Sequence, residues 1–112
     1  ILTNGKTLKF ANKTFLNYFD YRDIEHFKQH YNCICDKFIE DENFFHLGKV
    51  KKDEAHWVES LLNLTGRQRI VSMSGRDLSV HAFSVSINPY ENEDYVVTFT
   101  DISDTMIEDR EA

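Results

Sequence analysis

Hydrophobic and polar positions alternate with a period of two in the last third of the chain and recur at helical spacing before it. Tyr95-Val96-Val97-Thr98-Phe99-Thr100 is a run of six β-branched or aromatic residues, which predicts a strand covered on at least one face. It hands over to Asp101-Ile102-Ser103, where Ser103 or Asp104 can cap an outgoing helix that carries Asp104, Glu108 and Asp109 near its positive end. Two further strands are predicted over 68–74 and 78–88, turning at Gly75, and 89–94 connects the second to 95–100, so the three form an antiparallel meander. Alternation puts Phe83, Val85, Ile87, Tyr95, Val97 and Phe99 on one face, toward the helices. The opposite face carries Val80, Ala82, Ser84 and Thr98, a small-residue set suited to cover by an upstream helix or a second subunit.

Ahead of the meander, Asn4-Gly5 between 1–3 and 7–11 predicts a hairpin with a type I′ turn. Asn12 caps a helix with Phe15 and Phe19 at i and i+4. Asp23 caps a second, with Ile24, Phe27 and Tyr31 on its apolar side. Short helices and loop are expected over 32–52. Asp53 then caps the longest helix before the outgoing one, running to Leu64 with Trp57, Leu61 and Leu64 on one stripe and Gly66 as its stop. Strands, helices, then strands make an α+β domain with helices on one face of a five-stranded antiparallel sheet.

Composition narrows the function. At 112 residues the chain is one domain, and beginning at Ile1 it reads as a piece of a longer protein. No apolar run approaches the ~20 residues of a membrane span, so a soluble domain without direct membrane contact is expected, and the cysteine usage makes a reducing cytoplasm the default compartment. A formal net charge of -6 argues against a nucleic-acid surface. Cys33 and Cys35 are separated by one residue, a spacing that closes no useful loop for a stabilising disulfide. Nine Phe and five Tyr imply a core or cavity lined by rings.

Phe10-Ala11-Asn12 leaving the second strand, a Trp-bearing helix before the meander, and the ending Phe99-Thr100-Asp101-Ile102-Ser103 together resemble a PAS domain over essentially the whole chain. The likeness is greatest to the PAS modules of bacterial sensor histidine kinases, diguanylate cyclases and chemoreceptors. It implies a sensory domain over 1–103, with 104–112 starting an output helix. A cavity between helices and sheet would respond to a ligand, and the final strand would pass the change to a C-terminal effector of the same chain. Homodimerisation through the sheet face and terminal helices is a further implication.

On this reading the cavity wall is Phe15, Phe19, Phe38, Trp57, Leu61, Phe83, Val85, Val97 and Phe99, suited to a small apolar or aromatic molecule or filled by its own side chains. Asp101 and Ser103 form the hinge to the output helix. Asn32-Cys33 coincides with the start of the flavin-adduct motif Asn-Cys-Arg-Phe-Leu-Gln of light-oxygen-voltage PAS domains, but Ile34-Cys35 departs from it, and Phe83 and Phe99 stand where that family carries amides. His56 lies on the helix that bears the iron ligand in haem PAS domains, beside the apolar stripe rather than on it. His26, His30, Cys33 and Cys35 are zinc-type ligands without a Cys-x-x-Cys knuckle. No cofactor is therefore expected. With no phosphate loop, catalytic serine motif or carboxylate pair, the domain reads as non-enzymatic. A ligand-free interaction module and a haem or redox sensor using His56 or Cys33 are the alternatives.

Overall fold

β-Branched and aromatic runs become strands where their period predicts, and a computed structural model describes residues 1–75 and 78–103 of the chain. The elements are β1 (Leu2–Thr3), β2 (Leu8–Phe10), α1 (Lys13–Tyr18), α2 (Ile24–Lys28), α3 (Trp57–Leu62), β3 (Ile70–Ser74), β4 (Val80–Pro89) and β5 (Tyr95–Asp101), with short 3-10 turns at Ile34–Lys37, Leu47–Lys49 and Gly66–Gln68. The five strands form one antiparallel sheet in the order β2-β1-β5-β4-β3. The fold is therefore α+β. Residues 104–112, and with them the expected output helix and a cap at Asp104, lie outside the described residues.

The register confirms the two faces. Val85 pairs with Phe99 and Ile87 with Val97, and all of Phe83, Val85, Ile87 and Val97 are buried against the helices. Trp57, Val58 and Leu61 of α3 and Phe27 of α2 close the core from the other side. Each such side chain contributes roughly 1.5–3 kcal/mol through burial. On the outward face Phe10 and Val96 are exposed and lie opposite Leu2 on either side of it, a short apolar row across three strands.

Local signals set the first two helices. Asn12 Oδ1 accepts from the Phe15 amide at 2.9 Å and Asp23 Oδ1 from the His26 amide at 2.8 Å, satisfying N-terminal donors as their sequence positions predict. Two expectations fail. The β1–β2 connection is not a type I′ turn: among its residues only Gly5 has a positive φ, 88°, and the Asn4 side chain instead accepts from the amides of Lys6 and Thr7, making a four-residue loop. A side chain at Gly5 would also run into the His56 imidazole.

The long helix is the other correction. α3 starts at Trp57, not after Asp53, because His56 is extended, its Nδ1 accepts from the Glu59 amide, and the Glu59 carboxylate takes the Ala55 amide. It ends at Leu62 with Asn63 as C-cap, so at six residues it equals α1 in length. Gly66 opens a 3-10 turn rather than stopping the helix. Arg69 Nε instead donates to the Leu61 and Leu64 carbonyls at 2.8 and 3.1 Å, placing a cation at the negative end of α3.

Candidate functional site

α1 crosses β5 and β4 on the helix-covered face, and between them is a groove of about 370 Å³. Phe15 and Phe19, one turn apart on α1 and its C-cap, supply one wall, with ring centroids 5.0 Å apart. Phe83, Val97 and Phe99 supply the sheet side, and Phe83 meets Phe99 edge to face at 6.4 Å. These five are among the nine residues expected to line a cavity. The other four do not line it: Trp57, Leu61 and Val85 are buried in the core, and Phe38 is packed edge to face against Trp57 and Phe99. Interdigitation of those side chains fills the space that a deeper cavity would need.

Sequence reasoning missed the rest of the lining, including Asn12, Thr14 and Tyr18. Tyr18 was legible in principle, since it sits three residues after Phe15 on the same side of α1. Its ring lies edge to face on Phe83 at 5.5 Å, and its hydroxyl closes the end of the groove on Asp101.

Asp101 is the polar end of the site. Its Oδ2 accepts from Tyr18 Oη at 2.9 Å and lies 3.0 Å from His81 Nδ1, while Oδ1 accepts from the Ser103 amide at 2.9 Å. Ser103 Oγ in turn accepts from the Ala82 amide at 3.0 Å, and the Ile102 amide donates to the Ala82 carbonyl. Partial burial opposes ionisation of Asp101, but the Ser103 amide and hydroxyl, the Tyr18 phenol and His81 outweigh it, and the carboxyl sits below its ordinary value. Asp101 and Ser103, expected as the hinge, are thus joined to each other, to β4 and to α1. The arrangement offers a ligand an apolar slot between rings with a carboxylate at one end.

A second depression, about 410 Å³, lies between 43–51 and α3 and is more polar. Its Glu54 carboxylate accepts from Asn63, Ser60 and the Lys51 amide, which hold it below the usual carboxylate value.

The metal and redox candidates are placed otherwise. Cys33 and Cys35 are joined as a disulfide, with Cα atoms 5.1 Å apart, contrary to the expectation from their spacing. Extended backbone at Cys33, followed at once by a 3-10 turn, brings the two sulfurs together on one side of the chain. Neither sulfur is then a thiolate ligand. His56 is the cap of α3, its ring against Tyr95, and lines neither depression. The His26 ring meets Tyr21 edge to face and the His30 ring lies tilted against it, instead of joining the cysteines. Among the described residues no group of three or more His, Cys, Asp or Glu is placed to hold a metal ion, and no helix is long and apolar enough to cross a membrane.

No family model matches the chain, and neither does any curated protein or solved structure. The site therefore stands on its own geometry.

Proposed function

We propose that residues 1–103 are a PAS-like sensory domain that takes a small apolar or aromatic molecule in the α1–β5 groove and relays its arrival through Asp101 to an effector in the same chain. One observation carries this reading: Tyr18 is both a wall of the groove and a hydrogen-bond partner of the residue that ends β5. A ligand that displaces the Tyr18 ring exchanges the Tyr18–Asp101 bond for contacts of its own, and the corner at Asp101–Ser103 then loses one of its restraints. The five-stranded antiparallel sheet, the helices between β2 and β3, and β5 leading directly into that corner agree with the resemblance of the sequence. A bacterial signalling protein, such as a histidine kinase or diguanylate cyclase, is the setting this reading implies.

A native mass spectrum of the purified domain beside its denatured mass tests the proposal. A bound species lost on denaturation supports it. A bare chain whose Phe15, Phe83 and Phe99 ring signals do not respond by NMR to indole, phenol or benzoate overturns it.

The apolar row of exposed Phe10 and Val96 on either side of half-buried Leu2 favours a second reading, a homodimer through the outer sheet face. Sedimentation of the wild type and of Val96→Lys decides it, since a dimer through this row dissociates when a charge enters it.

A further inference from the structure

Lys37 ends the 3-10 turn Ile34–Lys37, and its ammonium is enclosed by three rings rather than by acids. Nζ lies 4.8 Å from the centroid of Phe19, 4.9 Å from Tyr31 and 5.6 Å from Tyr21, all within cation–π range. Among the described residues no hydrogen bond or ion pair to Nζ accompanies these contacts. The walls are braced from behind: the fully buried Phe27 packs edge to face on Tyr21 at 5.3 Å and against Tyr31 at 5.5 Å, and Phe15 holds Phe19. Asp20, with φ of 63°, reverses the chain between Phe19 and Tyr21 so that both rings reach the same point. Beside the rings is an open depression of about 350 Å³, also bordered by Asp20, His26 and His30.

Three π faces attract positive charge, but they give an ammonium no strong acceptor for its three N–H groups. Half-burial in this setting pushes the Lys37 amine below its ordinary value. A quaternary ammonium has the charge and no N–H to leave unpaired, so it suits the rings better than the lysine they hold. The lysine is also removable, because its flexible stem can carry the head group out to water. We infer that Phe19, Tyr21 and Tyr31 form a binding site for a trimethylammonium group, with Lys37 as the internal occupant that the ligand displaces. Phe19 lines both this site and the α1–β5 groove, so occupancy of one is felt at the wall of the other.

The test titrates the wild-type chain with choline, with 3,3-dimethylbutan-1-ol as the uncharged isostere, and with a short peptide carrying trimethyl-lysine, following ring and Lys37 Cε signals by NMR. Choline or the peptide should shift the Phe19, Tyr21, Tyr31 and Lys37 signals saturably, at least about tenfold more tightly than the neutral isostere. Tighter binding of the peptide assigns the cation to a protein side chain, and tighter binding of choline to a free small molecule. Lys37→Met, which removes the competing charge, should tighten either ligand by about tenfold, and Tyr31→Leu should weaken it by at least as much. No saturable shift in either the wild type or Lys37→Met, equal affinity for the isostere, or no gain on removing Lys37 overturns the proposal.

Discussion

Tyr18 on α1 and Asp101 at the end of β5 are 83 positions apart and joined by a 2.9 Å hydrogen bond, the phenol donating to Oδ2. The same carboxylate holds His81 and the Ser103 amide, so a helix, two strands and the exit of the chain meet at one side chain.

Tyr18→Phe removes one of those partners and keeps the ring. The bond is open to water, so the loss of stability should be small, about 0.5 kcal/mol in a urea titration. The clearer readout is the Asp101 carboxyl, whose pKa should rise in a carbon-detected NMR titration. An unchanged value would show that the phenol does not reach Asp101 in solution.

Acid should act through Asp101 and Glu54. Both carboxyls lie below their ordinary values of 3.8 and 4.5 in the folded chain. Their contribution to stability is thus complete above those values and is lost as pH falls through the lower folded ones. Unfolding midpoints of the wild type should fall below about pH 4.5, and Asp101→Asn and Glu54→Gln should each flatten that decline. A decline of the same slope in both variants would assign the acid sensitivity to other carboxylates.

Trp57 Nε1 is buried with no hydrogen-bond partner among the described residues. Leaving such a donor unpaired costs about 1–3 kcal/mol, so Trp57→Phe should recover part of what it loses in ring contact and cost less than about 2 kcal/mol. Leu61→Ala, one turn along α3 and equally buried, should cost about 2–5 kcal/mol with nothing to offset it. Equal urea midpoints for the two variants would mean that the indole N–H is satisfied in solution.

The Cys33–Cys35 bridge closes a loop of three residues. Chain-entropy reasoning assigns so short a loop about 1.5 kcal/mol. Unfolding with and without a phosphine reductant should therefore differ by about that much, with the same denaturant slope. A loss above about 3 kcal/mol would show that the bridge also holds the turn over Ile34–Lys37 in place.

Where structure depends on neighbours in sequence, the chain was readable. Asn12 and Asp23 cap their helices because each reaches an amide three residues on, and 70–74, 80–89 and 95–101 are strands because alternating side chains suit a sheet with one covered face. The groove was half readable: Phe15, Phe19, Phe83, Val97 and Phe99 are bulky and inward-facing, which pattern alone conveys. Pattern does not say that Phe38, Trp57, Leu61 and Val85 fill one another's space, since that depends on interlocking volumes rather than on hydrophobicity.

Hydrophobic period and local capping chemistry thus determined the element order, the two sheet faces and the α+β class, because both act over a few residues. Only the tertiary structure decided that Tyr18 meets Asp101, that His56 rather than Asp53 starts α3, that Cys33 bonds Cys35, and that Lys37 ends inside three rings. The Tyr18–Asp101 bond and the rings around Lys37 depend on the approach of segments apart in sequence, and the His56 cap and the Cys33–Cys35 bridge, though local, depend on a backbone direction that one-dimensional spacing does not encode.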